Sequence, residues 1–186
     1  SSGPAHFGSS IAAGLTAGSI GVLALVTETA ASVVALGQYR EVPRRLVAFV
    51  FGAEDLSADL GISPRGPDGA YPAPVAVARA QTLVAAAACG VVALDTPFPD
   101  PRDPEGMRRE AEAAAADGFA GKVLIHPAQI APVAAAFRPS PERLAWARAV
   151  RDAFAANPSA GVLTLDGKML DRPHLRLALR LLGEAD

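Results

Sequence analysis

Two periods of apolar residues alternate along the chain. Compact runs over residues 22–26, 46–51, 91–94 and 123–125 are rich in Val, Leu, Ile and Phe, and that composition at that length predicts buried strands. Longer Ala- and Leu-bearing stretches between them predict helices. One follows Thr29 as far as about Tyr39, one covers 75–88, and one is opened by Asp103-Pro104-Glu105 and stopped at Asp117-Gly118. A Gly- and Pro-rich loop occupies 61–74. Strands alternating with helices predict βα units and a parallel sheet, so the fold class is α/β.

After about Phe137 the pattern changes. Ser140-Pro141-Glu142 marks a helix start, and Leu144, Ala147, Val150 and Phe154 then fall on one side. A short strand over 161–165 leads through Asp166-Gly167-Lys168-Met169-Leu170-Asp171 to a last helix opened by Pro173. The chain is expected to divide into residues 1–137, built of βα units, and residues 138–186, an α/β appendage below the usual domain size.

The strand ends carry the candidate chemistry. Four successive strands run out into Glu28, Asp55, Asp95 and His126. Polar groups at four equivalent ends match the top face of a (β/α)8 barrel, where such proteins place their active sites. That barrel takes roughly 250 residues, whereas this chain has 186. Either the sheet is open or the chain carries half of a barrel.

Composition narrows the function without choosing it. The net charge of −2 offers no surface for nucleic acid, and 51% hydrophobic residues with 5% aromatics suit helices packed on a parallel sheet. The single Cys89 follows a run of alanines, reads as a small core residue, and fits a reducing cytoplasm. Residues 8–27 carry no charge, but Gly14, Gly18 and Gly21 interrupt them and no basic cluster precedes them. Neither a signal peptide nor a membrane span is expected there. Residues 1–7 read as a loop, a cloning remnant or the edge of a longer chain.

Each candidate has a plain reading and a chemical one. Glu28 and Asp55, at neighbouring strand ends, can converge on one magnesium ion, which takes carboxylate oxygens and keeps waters for a substrate to displace. Equally, Glu28 caps the next helix and Asp55 is a solvated loop acid. Gly52-Ala53-Glu54-Asp55 can aim successive N–H groups at a carboxylate or oxyanion, or it is a tight turn that needs Gly52 for its backbone angles. Asp95 either orients neighbouring site groups or caps its turn with Thr96. His126 reads first as a structural histidine, with Lys122 and Gln129 as candidate lining of a cofactor entrance. Asp59 reads as a surface acid, and Asp171-Arg172-Pro173 as a helix N-cap.

Taken together, five motifs in order resemble the citrate lyase β-chain family, within the wider group of malyl-CoA lyases and divalent-metal aldolases. They are Thr27-Glu28-Thr29-Ala30, Phe51-Gly52-Ala53-Glu54-Asp55-Leu56, Ala93-Leu94-Asp95, the stretch from Gly118 to Gln129 with its Gly-Lys-Val-Leu-Ile-His-Pro core, and the stretch from Asp166 to Pro173. The resemblance implies that the strands are the fifth to eighth of a (β/α)8 TIM barrel, followed by a small C-terminal α/β lid. It implies a magnesium-dependent carbon–carbon lyase acting on a 3-hydroxy-acyl-CoA thioester such as malyl-, methylmalyl-, citramalyl- or citryl-CoA. Glu28 and Asp55 would be the metal ligands, the Gly52, Ala53, Glu54 and Asp55 turn the substrate cradle, and Asp171 the acid/base, reaching its site from an adjacent subunit. Homotrimers or hexamers are implied, with no nucleic acid or membrane partner. A hydroxy-keto-acid aldolase without CoA, and a non-catalytic half-barrel lacking the first four strands and their substrate-holding arginine, are the other readings.

Overall fold

The computed structural model describes residues 14, 16, 18–41 and 45–184. The readings of residues 1–7 and of much of the uncharged stretch after them lie outside these. Contacts divide the chain into a unit ending at Phe137 and one beginning at Arg138.

In the first unit, β1 (Val22–Leu25), β2 (Leu46–Val50), β3 (Val92–Asp95) and β4 (Gly121–Lys122) form one parallel sheet in that order. Its helices are α1 (Ala30–Val34), α2 (Ala53–Leu60), α3 (Ala73–Cys89), α4 (Pro104–Asp117) and α5 (Ile130–Ala136). Two expectations are corrected. The helix after Thr29 gives way after α1 to a 3-10 run, Leu36–Glu41; β-branched Val33 and Val34 followed by Gly37 weaken an α-helix there. The last strand is not at 123–125 but at Gly121–Lys122, where Gly121 pairs with Leu94 and Lys122 with Asp95. Gly121 fits because a Cβ there would lie 3.3 Å from the Leu94 side chain.

Sheet register puts Ala24, Phe49 and Ala93 in one row. That row faces the helices: Phe49 is fully buried, meets Tyr39 edge-on at 5.0 Å, and joins Phe51, Leu56, Val75, Ala86 and Phe119 in the main core. Burying each such large side chain contributes about 1.5–3 kcal/mol. Leu25, Val50 and Leu94 form the adjacent row on the opposite face. That face is less covered: Leu23 is 57%, Leu25 40% and Val92 49% exposed. The helices themselves end as their sequences dictate, with Asp103 Oδ1 accepting the Gly106 N–H at 2.8 Å and Gly118 left-handed at φ 108° after α4.

The second unit contains α6 (Pro141–Ala156), β5 (Val162–Leu165), β6 (Lys168–Asp171) and α7 (Arg172–Leu182). Ser140 Oγ accepts the Arg143 N–H at 3.2 Å, and α6 buries Ala147, Val150 and Phe154 with Leu170 and Ala178. Strand β6 is an addition to the sequence reading. It pairs antiparallel with β5 across Asp166-Gly167, both at positive φ (49° and 74°), which is the two-residue hairpin turn such a pair selects. Among its four residues only Leu170 is buried, so no alternation announced it.

Candidate metal and acid sites at the strand ends

The β1 and β2 ends are stitched together by one hydroxyl. Buried Thr27 donates through Oγ1 to the Gly52 carbonyl at 3.2 Å and accepts the Gly52 N–H at 2.8 Å. Glu28 follows directly, and Asp55 stands in the first turn of α2, so a threonine–glycine clasp fixes the backbones that carry both acids. Asp55 is therefore a helix residue and not a loop acid, placed where a helix N-terminus favours negative charge.

The capping role foreseen for Glu28 belongs to other residues. Thr29 caps α1, its Oγ1 accepting the Ser32 N–H at 3.1 Å while Ser32 Oγ accepts the Thr29 N–H at 3.1 Å. Asp59 is more than a surface acid: its Oδ2 accepts the Ala30 N–H at 2.7 Å and ties α2 to the start of α1. These bonds leave the Glu28 and Asp55 carboxylates exposed and without an ion pair among the described residues.

The Gly52-Ala53-Glu54-Asp55 turn is corrected in two respects. Its first two amides are engaged inside the protein, Gly52 N–H by Thr27 and Ala53 N–H by Thr96 Oγ1 at 3.3 Å. Glu54 and Asp55 contribute the first-turn N–H groups of α2, the kind that have no partner within their own helix. Gly52 itself is extended (φ −109°, ψ 111°), a conformation open to any residue. A Cβ there would lie 3.1 Å from Leu25 Cδ1, so a larger residue would require that side chain to shift.

The β3 and β4 ends are chemically opposite. Asp95 is fully buried; its Oδ1 accepts from Arg79 Nε at 2.9 Å and its Oδ2 from Lys122 Nζ at 3.0 Å. Lys122 also reaches Glu110 at 2.5 Å, Glu110 pairs with Arg65, and Arg79 pairs with Asp117 at 2.5 Å. Arg65 lies 3.6 Å over the Tyr71 ring and donates to its hydroxyl at 2.7 Å. Burial, with the Glu110 and Asp95 charges added, pushes the Tyr71 hydroxyl well above the ordinary phenol range.

Asp95 is thus held by Arg79 and Lys122, with no hydrogen bond capping its own turn among the described residues, and the Lys122 ammonium is buried in that network. Gln129 is also buried, donating to the Phe98 carbonyl and accepting the Ile125 N–H, both at 2.9 Å. His126 Nδ1 accepts the Ala128 N–H at 3.1 Å and caps the short 3-10 turn Pro127–Gln129, in keeping with its structural reading. Sequence reasoning missed the charge network. Its signal was a lysine directly before an apolar run, Lys122-Val123-Leu124-Ile125, because a buried ammonium has to meet carboxylates.

In the second unit Asp171 caps α7 and forms a reciprocal box with His174. His174 Nδ1 lies 2.5 Å from Asp171 Oδ1 and 3.2 Å from the Asp171 backbone nitrogen. The hydrogen bond with His174 holds the Asp171 carboxyl below the usual carboxylate range.

Among the described residues no three or more His, Cys, Asp or Glu side chains gather as a metal cage. Two carboxylates at one strand-end corner fit a different ion. Zinc in structural sites is held by four protein ligands, whereas magnesium keeps several waters and is bound by one or two carboxylates together with its substrate. Glu28 and Asp55, which follow neighbouring parallel strands, are acids of the type such an ion takes.

Residues 6–127 match the HpcH/HpaI aldolase/citrate lyase family, and the chain belongs to that family. It is 46% identical over 143 residues to a citrate lyase subunit beta-like protein of Mycobacterium tuberculosis, covering 75% of this chain and 52% of that protein. It is 38% identical to the mitochondrial citramalyl-CoA lyase of Rattus norvegicus, covering 72% of this chain and 39% of the relative. The fold resembles CitE of M. tuberculosis, solved in complex with magnesium, acetoacetate and coenzyme A (TM-score 0.71, 42% identity, 83% of this chain and 57% of that one). The chain thus spans about half the length of the relatives it matches. No helix among the described residues is long and apolar enough to cross a membrane.

Proposed function

We propose that the chain is the metal- and acid-bearing part of a magnesium-dependent carbon–carbon lyase that cleaves or forms a 3-hydroxy-acyl-CoA, of the malyl-, methylmalyl-, citramalyl- or citryl-CoA type. The observation that carries this is the corner where Glu28 and Asp55 stand exposed, and unpaired among the described residues, beside the Thr27–Gly52 clasp. Family membership and a relative solved with magnesium and coenzyme A support the choice of ion and thioester.

Glu28 and Asp55 would hold the ion. When bound, magnesium supplies Lewis acidity to the oxygens of the keto-acid portion of the substrate. The Glu54 and Asp55 amides, at the positive end of α2, would orient the substrate carboxylate. Asp171 would move the proton at the thioester α-carbon. The adjacent-subunit origin of that aspartate and a homotrimeric or hexameric assembly belong to the same reading.

The sheet belongs, in this reading, to the second half of a (β/α)8 barrel, strands five to eight, with the unit after Phe137 as a lid. Parallel sheets are nearly always covered on both faces. Exposed Leu23, Leu25 and Val92 present an apolar surface suited to a barrel interior. The same observation favours a second reading, a non-catalytic half-barrel that a partner segment completes.

Lyase assays with malyl-, methylmalyl- and citramalyl-CoA in the presence of magnesium test the proposal. Magnesium-dependent release of acetyl- or propionyl-CoA, abolished by Asp55→Ala, is expected. Turnover unchanged by Asp55→Ala overturns the metal assignment. Absence of turnover with all three thioesters, for the chain and for its full reading frame alike, favours the non-catalytic reading.

A further inference from the structure

We propose that His174 is the proton reservoir behind Asp171: the proton exchanged with the thioester α-carbon is stored on the imidazole and passes through the aspartate. The proposal rests on the acid/base reading of Asp171 and names the residue that makes that role workable. His174 acts through Asp171 and not on the substrate.

The geometry is that of a shared proton. One ring nitrogen, Nδ1, faces both Asp171 Oδ1 at 2.5 Å and the Asp171 backbone nitrogen at 3.2 Å. A bare Nδ1 accepts the backbone N–H, whereas a protonated Nδ1 donates to the carboxylate; it does one at a time. The His174 backbone N–H bonds the Asp171 side chain in the same box, so the helix cap survives either state. Both side chains keep access to water, with His174 40% and Asp171 36% exposed. The adjacent cation, Arg172, is directed elsewhere: it donates to the Pro158 carbonyl at 2.7 Å and lies 5.4 Å from the Phe154 ring.

The chemistry needs such a partner. In cleavage the 3-hydroxyl gives its proton to bulk water as it becomes the keto-acid carbonyl, the carbon–carbon bond breaks, and its electron pair is left as the thioester enolate, whose carbon must gain a proton. A carboxyl held below the usual range is almost always ionised at neutral pH, so Asp171 alone has no proton to give. Imidazoles as a class change protonation between about pH 5 and 8. The Nδ1 proton of imidazolium His174 passes to the Asp171 carboxylate and on to the enolate carbon, and the neutral imidazole left behind regains a proton from bulk water. In the condensation direction each transfer reverses, and the aspartate is cleared as a base after every turnover. Protons and electrons balance without any co-reactant.

The test separates this role from capping. Glutamine at the third helical position also completes a capping box, so His174→Gln keeps the cap while removing the titratable ring. In the lyase assay, His174→Gln is expected to lower kcat about a hundredfold with KM unchanged and the chain still folded at the assay temperature, and added imidazole to restore part of the rate. Wild-type kcat in His174→Gln together with a lost rate in Asp171→Asn overturns the reservoir and leaves the acid/base reading standing. Wild-type kcat in Asp171→Asn overturns that reading and the reservoir with it. Carboxyl-detected NMR gives an arm independent of turnover: the Asp171 titration midpoint is expected to rise in His174→Gln, and an unmoved midpoint overturns the shared proton.

Discussion

The two halves of one sheet treat charge in opposite ways. At the β3 and β4 ends, Asp95 and Lys122 are buried and every charge is matched, in the sequence Arg65, Glu110, Lys122, Asp95, Arg79, Asp117. At the β1 and β2 ends, Glu28 and Asp55 are exposed and unmatched among the described residues, while the polar groups around them satisfy each other. Burying a charge is tolerable only when it is paired and hydrogen-bonded. Matched, buried charges therefore mark architecture, and the two acids left unmatched among the described residues are the pair proposed to hold the ion. Asp95 closes β3 and Asp55 opens α2 just after β2, and their partners tell them apart.

Breaking the buried side has the largest expected cost. Lys122→Met leaves Asp95 and Glu110 short of a cation and is expected to destabilise the first unit by about 3–5 kcal/mol, read by urea unfolding. A loss below about 1 kcal/mol would mean that the network is not the matched, dry element described. Next comes the clasp: Thr27→Val strands a buried N–H and carbonyl of Gly52 at an expected cost of about 1–3 kcal/mol in the same assay. A neutral result there would show that Thr27 does not fix the two ends.

A smaller effect belongs to the second unit. The Asp171 carboxyl is held below its usual range, so its contribution to α7 is present above the unfolded carboxylate value of about 3.9. It is lost as pH falls through the lower folded value. Helical signal lost below about pH 4 is expected, and His174→Gln should begin that loss at a higher pH. The smallest stability change is expected where function is proposed: Glu28→Ala and Asp55→Ala should each shift unfolding by no more than about 0.5 kcal/mol. A large loss in either would place that acid with the buried network.

Much of this was legible in the residues. Apolar runs located the first three strands, and Asp103, Ser140 and Gly118 marked helix boundaries because capping chemistry is local. The fourth strand was misplaced: Val123-Leu124-Ile125 is more apolar than Gly121-Lys122, and pairing with Leu94 and Asp95 overrides composition. The family motifs pointed to Glu28 and Asp55. Their freedom from partners depends on Thr29 and Asp59 taking the competing tasks, which no spacing reveals. The occupied Ala53 amide likewise depends on Thr96, which lies 43 residues away in sequence.

The central claim is that Glu28 and Asp55 form one hard-cation site. Binding of Mn2+, a magnesium surrogate that is visible by electron paramagnetic resonance, tests it directly on the folded chain without any substrate. Saturable one-to-one binding, displaced by magnesium and weakened by Asp55→Ala and Glu28→Ala alike, is the expected result. Equal Mn2+ binding by both variants and the unmodified chain would contradict it.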